Sequence, residues 1–590
     1  MTSKELRQTF LKFFKEKNHQ IVASSSLLPT DPSVLLTTAG MQQFKEYFLG
    51  KISPFGKNVT SSQKCFRTSD IDEIGDARHL TFFEMLGNFS FGGYFKEEAI
   101  KMAKEILSSK FNLSDSRLWV TVFKGEKDVP EDKESQEIWK KLGIPKERIL
   151  KFGREDNFWG PTGKEGPCGP TTEIHYDLTG NPCPKGKNCL PNCQCERFIE
   201  IWNLVFNEYF QDEKGNLTPL KQKGVDTGMG LERLAMVNQG KTSVFETDLF
   251  LPLIEEISKK TLQPYSLNKK TYRIIADHIR SSVFLITDGI LPSNEERGYI
   301  LRRILRRAIR YSRLLSLPDD VLFLLAQKTI EIYRDFYPEV KAKENDVLTL
   351  IQTEKEKFEK TLEKGLKSFK MEIEICKSKN LKIIDGKTVF DLYQSYGFPL
   401  ELTKELAQEE GLKIDENSFQ EEFKKHQEVS RSGAERKFGG IGKEATLEAT
   451  KLHTATHLLH AALRKILGPH VKQMGSDITS ERLRFDFSHP QKLSQKEIKE
   501  IEDLVNQKIK EGLVVKREEM ELEKAFNSGA LAFFKEKYPA KVSVYSIGEF
   551  SKEICFGPHI EKTNQLGNFQ ILKEESAGAG IRRIRAVLEK

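Results

Sequence analysis

The hydrophobic period changes along the chain, and that change restricts the fold more than any single motif does. Between about residues 60 and 250, strand-like runs such as "HLTFFEML", "RLWVTVF" and "FIEIWNLVFNEYF" alternate with Gly/Pro loops, with a few helical stretches such as "FKEEAIKMAKEIL". This pattern predicts an antiparallel sheet with flanking helices. From about 250 to 430 apolar residues recur with helical spacing, and the charged stretch "EKEKFEKTLEKGLKSFKMEIEI" reads as an exposed helical hairpin. The polar, glycine-bearing segment "SRSGAERKFGGIGKEAT" then leads into a mixed α/β region beginning near Leu452. At the N-terminus, Leu6, Phe10, Leu11, Phe13 and Phe14 predict a helix over 4–16 that runs into a short strand over 20–24. A chain of 590 residues is too long for one core. The expected organisation is α+β and multidomain: 1–248 sheet-based with a cysteine-rich insert, 249–430 helical, 431–451 a linker, and 452–590 α/β.

Charged residues at 30% and hydrophobic residues at 38% exclude wholesale disorder. The sequence contains no run of ~20 apolar residues and no signal-peptide core, so a cytoplasmic chain without membrane partners is expected. A net charge of +7 permits a polyanionic partner without demanding one, so the location of the basic residues decides. They concentrate in "ERGYILRRILRRAIRYSRLL", which carries Arg297, Arg302, Arg303, Arg306, Arg307, Arg310 and Arg313. Of these, Arg302, Arg306, Arg310 and Arg313 recur every three or four residues, which predicts a cationic face suited to phosphates. The competing reading is a solvated face laced with salt bridges.

Eight cysteines are too few for a disulfide scaffold, yet Cys183, Cys189, Cys193 and Cys195 fall within 13 residues. Four thiolates in one loop can wrap a tetrahedral ion, and structural zinc is weighed there against free thiols. A second set is dispersed. His453 and His457 sit four apart on a predicted helix, and Cys555 and His559 sit four apart about a hundred residues later. Two pairs of N and S donors suit tetrahedral Zn²⁺.

Two further pieces suggest nucleotide chemistry. Residues 64–95 read as strand, polar loop, strand, with Arg67 near the end of one strand and Phe83 on the next. A guanidinium there can clamp a phosphoryl oxygen and the phenyl ring can face a base; the competing reading is a surface arginine and a core phenylalanine. In "VDTGMGLERLAMV" a glycine-rich turn opens an apolar-periodic helix. Its competing reading is an ordinary helix, capped by Asp226 or Thr227, with Glu232 and Arg233 as solvated charges.

Taken in order, "FRTSDIDEIGDARHLTFFEMLGNFSFGGYF", "EGPCGPTTEIHYD", "CQCERFIEIWNLVFNEY" and "DTGMGLER" resemble the alanyl-tRNA synthetases, a class II aminoacyl-tRNA synthetase family. The resemblance implies the class II antiparallel sheet, a helical tRNA-binding domain and an α/β editing domain. It implies activation of L-alanine by ATP and Mg²⁺, followed by esterification of tRNA(Ala). On the same basis Arg67 matches the arginine at the α-phosphate and Arg233 the one near the γ-phosphate. Arg78 joins them at ATP, and Phe83 stacks on adenine. Asp226 matches the aspartate that receives the substrate ammonium, and Trp159 and Val205 the walls of the alanine pocket. A pocket for one methyl group discriminates serine and glycine by only about 10- to 200-fold, so a second, hydrolytic site is expected.

The later region resembles the family's editing domain, with His453, His457, Cys555 and His559 as zinc ligands and Gln473 as an editing-site residue. The family's Cys-Gly-Gly-Thr-His signature stands here as Cys555, Phe556, Gly557, Pro558, His559. For the acceptor stem, the resemblance implicates the arginine-rich helix, including Arg302, Arg303, Arg306 and Arg310, together with Asn294. Gln394 stands where an aspartate is expected in a "YDTYGFP"-like motif. The family's usual C-terminal module has no counterpart, so a monomer is expected. A stand-alone editing hydrolase and a non-catalytic tRNA-binding relative are the alternatives.

Overall fold

Thr2 and Glu5 open the first helix, Ser3–Glu16: the Thr2 side chain accepts from the Glu5 N–H and the Glu5 carboxylate accepts from the Thr2 N–H. The helix buries Leu6, Phe10, Phe13 and Phe14, and Phe10 meets Trp202 of the sheet with ring centroids 5.7 Å apart. The computed structural model describes all residues except Pro32, Lys127, Gln194, 427–445, 533–540, 579–580 and Lys590. These fall into two compact units, Met1–Lys360 and Thr361–Lys590.

The first unit is built on one sheet. Its strands are β1 (Gln20–Ile21), β2 (Asn58–Phe66), β3 (Phe82–Phe91), β4 (Leu118–Phe123), β5 (Ile149–Phe152), β6 (Phe158–Trp159), β7 (Gly166–Asp177), β8 (Phe198–Gln211) and β9 (Leu217–Gly230). The spatial order is β1-β2-β3-β9-β8-β7-β4-β5, with β6 paired to β7. All pairings are antiparallel except β1 with β2 and β4 with β5. The strand-like runs therefore form the sheet that their pattern implied.

The expected break after residue 248 is not a break in packing. Helices Leu251–Lys259, Lys269–Thr287, Glu296–Leu314 and Val321–Tyr333 belong to the same unit as the sheet. Phe82 of β3 stacks on Phe284 at 3.9 Å, and buried Asp277 accepts from both the N–H and the hydroxyl of Thr81. The charged stretch after residue 343 is likewise not a hairpin. Glu344–Ser378 is one helix of 35 residues. A stripe of Ile351, Phe358, Leu362, Phe369 and Ile373 is buried along it, and such a stripe lets one long helix keep its register without a turn.

In the second unit, a four-stranded antiparallel sheet runs in the order Gln473–Ile478, Leu483–Ser488, Ile581–Glu589, Asn568–Gly578. Its core joins Leu458, Leu459, Phe485, Ile501, Phe569 and Ile584 from strands and from helices Leu447–Leu467 and Gln495–Lys510. A three-stranded sheet, Val515–Glu521, Lys541–Ile547 and Ser551–Ile554, lies beside the residues that reach Cys555. Most of the expected 431–451 linker lies outside the described residues. Thr446 caps the next helix by accepting from the Ala449 N–H, so 447–451 are its first turns.

Candidate active site and metal centres

Cross-strand pairing brings distant motif residues together. The Arg67 N–H donates to the Thr81 carbonyl at 2.9 Å just past the β2–β3 ladder, and its guanidinium lies 5.1 Å from the Phe83 ring centre. Asp226 of β9 sits opposite Val205 of β8, while Trp159 of β6 pairs with Gly169 of β7. Gly169 also lets β7 approach β8 closely: a Cβ there would stand 1.8 Å from the Phe206 carbonyl oxygen. Arg67, Arg78, Phe83, Trp159, Val205, Asp226 and Arg233 all line one cleft.

The "DTGMGLER" segment differs from a capped helix. Asp226 and Thr227 lie on β9, and the helix starts only at Leu231, with Gly230 at its cap and no side-chain cap. Glu232 is not a solvated charge either. It is 1% exposed, pairs with Arg280 and accepts from the Glu84 N–H. Glu84 in turn accepts from Arg7 at 2.8 and 2.5 Å and from the Tyr337 hydroxyl at 2.9 Å. The charges beneath the cleft are thus matched internally.

The cleft itself is left open to a polar ligand. Asp226 is buried, and burial alone pushes its carboxyl up from 3.8 to about 7. Arg78 Nη1 donates to the Phe198 carbonyl at 2.6 Å, while its Nη2, Trp159 Nε1 and Asn203 Oδ1 are buried without partners among the described residues. Arg233 reaches Glu200 Oε2 at 3.0 Å.

Glu173 and Glu200, on adjacent strands, went unnoticed in the sequence. The one signal was the period-two spacing of Glu173, His175 and Asp177 in "TTEIHYD"; Glu200 in "FIEIWN" has no polar residue two places away. Burial and the neighbouring Glu200 raise the Glu173 carboxyl; burial also opposes ionisation of Glu200, but Arg233, His175 and Arg67 hold it below its ordinary value. Two carboxylates lining the same cleft are oxygen donors that could hold Mg²⁺.

The arginine-rich helix does not present the open cationic face that its spacing suggested. Arg303, Arg306 and Arg310 are 8%, 8% and 4% exposed. Arg303 pairs with Asp72 at 2.7 Å and Arg306 with Glu354 at 2.6 Å, and Arg307 donates to the Ile71 carbonyl at 2.7 Å. These arginines tie the helix into the first unit. Arg302 is half-buried, Arg313 is more open and pairs with Glu359 at 3.2 Å, and Asn294 is exposed in the loop before the helix.

Both expected ligand sets converge. The sulfur atoms of Cys183, Cys189, Cys193 and Cys195 lie within 4.8 Å of one another, as do ligand atoms of His453, His457, Cys555 and His559. Cys65 and Cys168 are buried elsewhere.

In the mixed set each histidine has a neighbour at Nδ1. His453 Nδ1 meets the Pro558 carbonyl at 3.1 Å, His457 Nδ1 lies 3.3 Å from Glu553 Oε2, and His559 Nδ1 meets the Thr454 hydroxyl at 3.1 Å. These neighbours direct Nε2 to a common centre: His453 Nε2 is 3.3 Å from Cys555 Sγ, and His559 Nε2 is buried without a partner among the described residues. A buried nitrogen without a partner beside a thiol fits a tetrahedral cation. Glu553, also bound to His460 at 2.8 Å, is a third residue that sequence reasoning missed, because a lone acid in a strand carries no pattern. Gly557 permits the close turn, since a Cβ there would stand 2.2 Å from His453 Cε1.

The profile described as "tRNA synthetases class II (A)" matches residues 5–474, and "Threonyl and Alanyl tRNA synthetase second additional domain" matches residues 542–585. The alanine-tRNA ligase of Borrelia hermsii is 50% identical over 592 residues, covering 99% of each chain. That of Treponema pallidum is 48% identical over 594 residues, covering 99% of this chain and 98% of the relative. The chain belongs to the alanyl-tRNA synthetase family. The alanine-tRNA ligase of Thermotoga maritima is 41% identical, and the match spans all of this chain but 80% of the longer relative.

Within this alanyl-tRNA synthetase, the cleft lies wholly in the first unit and the mixed His/Cys centre wholly in the second. Gln473, expected in editing, donates to the Ser476 hydroxyl at 3.1 Å rather than to a ligand residue. Gln394 lies on helix Gly386–Tyr396, just before Gly397, whose φ of 68° ends that helix. Phe556, next to Cys555 of the His/Cys cluster, is 61% exposed.

Proposed function

We propose that the chain ligates L-alanine to tRNA(Ala) and clears seryl- and glycyl-tRNA(Ala) at the mixed His/Cys centre. The observation that carries the first part is the buried, unneutralised Asp226 opposite Val205, in the same cleft as Arg67 and Arg233. A small amino acid placed there sets its ammonium on Asp226 and its methyl group against Val205 and Trp159. The ammonium supplies the charge that lets Asp226 ionise in a dry site. Its carboxylate oxygen attacks the α-phosphorus of ATP and pyrophosphate leaves.

No general base is needed for that step, because the nucleophile is already an anion. The cleft contributes position and positive charge: Arg67 at the α-phosphate, Arg78 and Arg233 toward the outer phosphates, and Phe83 under adenine. Mg²⁺ held by Glu173 and Glu200 would offset phosphate charge. In the second step the terminal ribose hydroxyl attacks the adenylate carbonyl and AMP leaves. Zn²⁺ held by His453, His457, Cys555 and His559 would supply positive charge for hydrolysis of a mischarged ester.

Asn294, Arg302 and Arg313, at the outer margin of the arginine-rich helix, are the proposed acceptor-stem contacts. The buried Arg303, Arg306 and Arg310 hold that helix in place. The remaining readings are a second, structural zinc at the Cys183 to Cys195 cluster, a cytoplasmic location and a monomer. Among the described residues no helix is long and apolar enough to cross a membrane. A stand-alone hydrolase or a non-catalytic relative needs neither Asp226 nor Arg233 in a built cleft.

The test is ATP-pyrophosphate exchange by the purified chain. Exchange that depends on alanine is expected. No exchange, or equal exchange with an unrelated amino acid, would overturn the reading.

A further inference from the structure

We infer that Arg197 couples the four-cysteine cluster to the nucleotide subsite, acting as a positioning residue for ATP through Phe198 and Arg78. The inference rests on the cleft assignment above. Arg197 stands between Cys195 and the first residue of β8. Its guanidinium donates to Asp177 Oδ2 through Nε at 3.0 Å and Nη2 at 2.6 Å. Asp177 ends β7 opposite Phe198, and its other oxygen accepts from the Thr179 and Gly180 N–H groups. The Arg197 carbonyl accepts from the Leu178 N–H at 2.8 Å. Arg197 stands two residues after Cys195, and its charge acts on the Cys189 thiol. It also lies 4.5 Å from the Phe198 ring centre and 5.7 Å from that of Trp119.

One residue, two places beyond Cys195, is thus gripped by the end of β7 and by two aromatic rings. The next residue's carbonyl is the one that receives Arg78 Nη1, and Arg78 keeps its other nitrogen buried and unmatched at the cleft. Movement of the cysteine loop would swing the root of β8 and carry that carbonyl with it. Two charged hydrogen bonds hold the root at side-chain exposures of 12% for Arg197 and 6% for Asp177, where solvent screens them little. The alanine side of the cleft, Asp226 with Val205, sits further along β8 on a separate set of ladder pairs. The coupling should therefore be felt by ATP and not by alanine.

The test uses the full chain with Arg197→Gln and Arg197→Lys, and with Cys189→Ser as a probe from the cluster side. ATP affinity is measured by calorimetry without amino acid, the exchange assay gives KM for ATP, KM for alanine and kcat, and a thiol reagent reports access to the cluster. Arg197→Gln is expected to weaken ATP by about tenfold, the scale of one charged hydrogen bond, while alanine KM and kcat stay within about twofold. The cluster thiols should react faster, Arg197→Lys should be intermediate, and Cys189→Ser should reproduce the ATP defect. Unchanged ATP affinity in Arg197→Gln, or an equal loss in ATP affinity, alanine KM and kcat, would overturn the inference. If the parent chain showed no alanine-dependent exchange, the proposed ligase reading would fail, yet the calorimetric arm would still decide the role of Arg197.

Discussion

The cleft of the first unit and the His/Cys centre of the second solve the same problem, holding a small polar group away from water, by opposite means. In the cleft the protein presents one side of each interaction and leaves the other to the substrate: Asp226 without a cation, and Arg78 and Trp159 with buried nitrogens unmatched. In the second centre four donors already face one another; His453 and His559 each have a hydrogen-bond neighbour on the far side of the ring, and Glu553 lies beside that of His457. The first site is completed by what it acts on. The second has the donor set that a resident cation would complete.

That contrast breaks most sharply at Asp226. Asp226→Asn should reduce alanine-dependent exchange by about 100- to 1000-fold, the scale of losing one partner of a buried ion pair, with ATP affinity preserved. The same change should raise the melting temperature of the empty protein. A carboxyl whose folded value is about 7 rather than 3.8 loses stability as pH climbs through that window, and the amide has no such cost. Stability unchanged at pH 8 would count against a buried, burial-shifted Asp226.

At the other site, Cys555→Ala should lower bound zinc and slow release of serine from seryl-tRNA by about 100-fold, several kcal/mol of lost charge stabilisation, while exchange is untouched. An unchanged deacylation rate would remove the centre from editing. A milder change behind the ligands, Glu553→Gln, should weaken metal retention by about 10- to 100-fold, read by competition with a chelator. The smallest effect is expected from pH. Alanine binding needs the ionised Asp226, so KM for alanine should rise about tenfold per pH unit below about 7 and level off above it, with KM for ATP flat across that range. A flat alanine profile would place the ammonium elsewhere.

The cleft was legible because its residues sit in ordered motifs, and antiparallel pairing does the rest: once β8 and β9 pair, Val205 and Asp226 must meet. The two ligand sets were legible for a related reason, since cysteine and histidine are few and their spacing is chemical. The arginine-rich helix was misread because a spacing of three or four residues says which side chains share a face, not what covers it. Its acids, Asp72 and Glu354, stand 231 and 48 residues away from their arginines and carry no local signal. The boundary at 248 failed similarly. Helical periodicity marks where strands stop, but the core continues through Phe82 and Phe284. Glu173, Glu200, Glu553 and Arg197 were missed because each matters chiefly through neighbours that the fold brings from elsewhere in the chain.

The turn from Cys555 to His559 is not constrained evenly. Three of its five positions answer to a physical demand: two supply ligand atoms, and Gly557 lies where any side chain would strike His453. Phe556 and Pro558 answer to none of these, and those are the two places where the residues depart from the signature that the rest of the turn resembles. The turn thus separates what holds the four ligand atoms together from what borders them: a larger residue at 557 would have to push the His453 ring aside, whereas Phe556 already carries a large, mostly exposed side chain at the rim of the cluster.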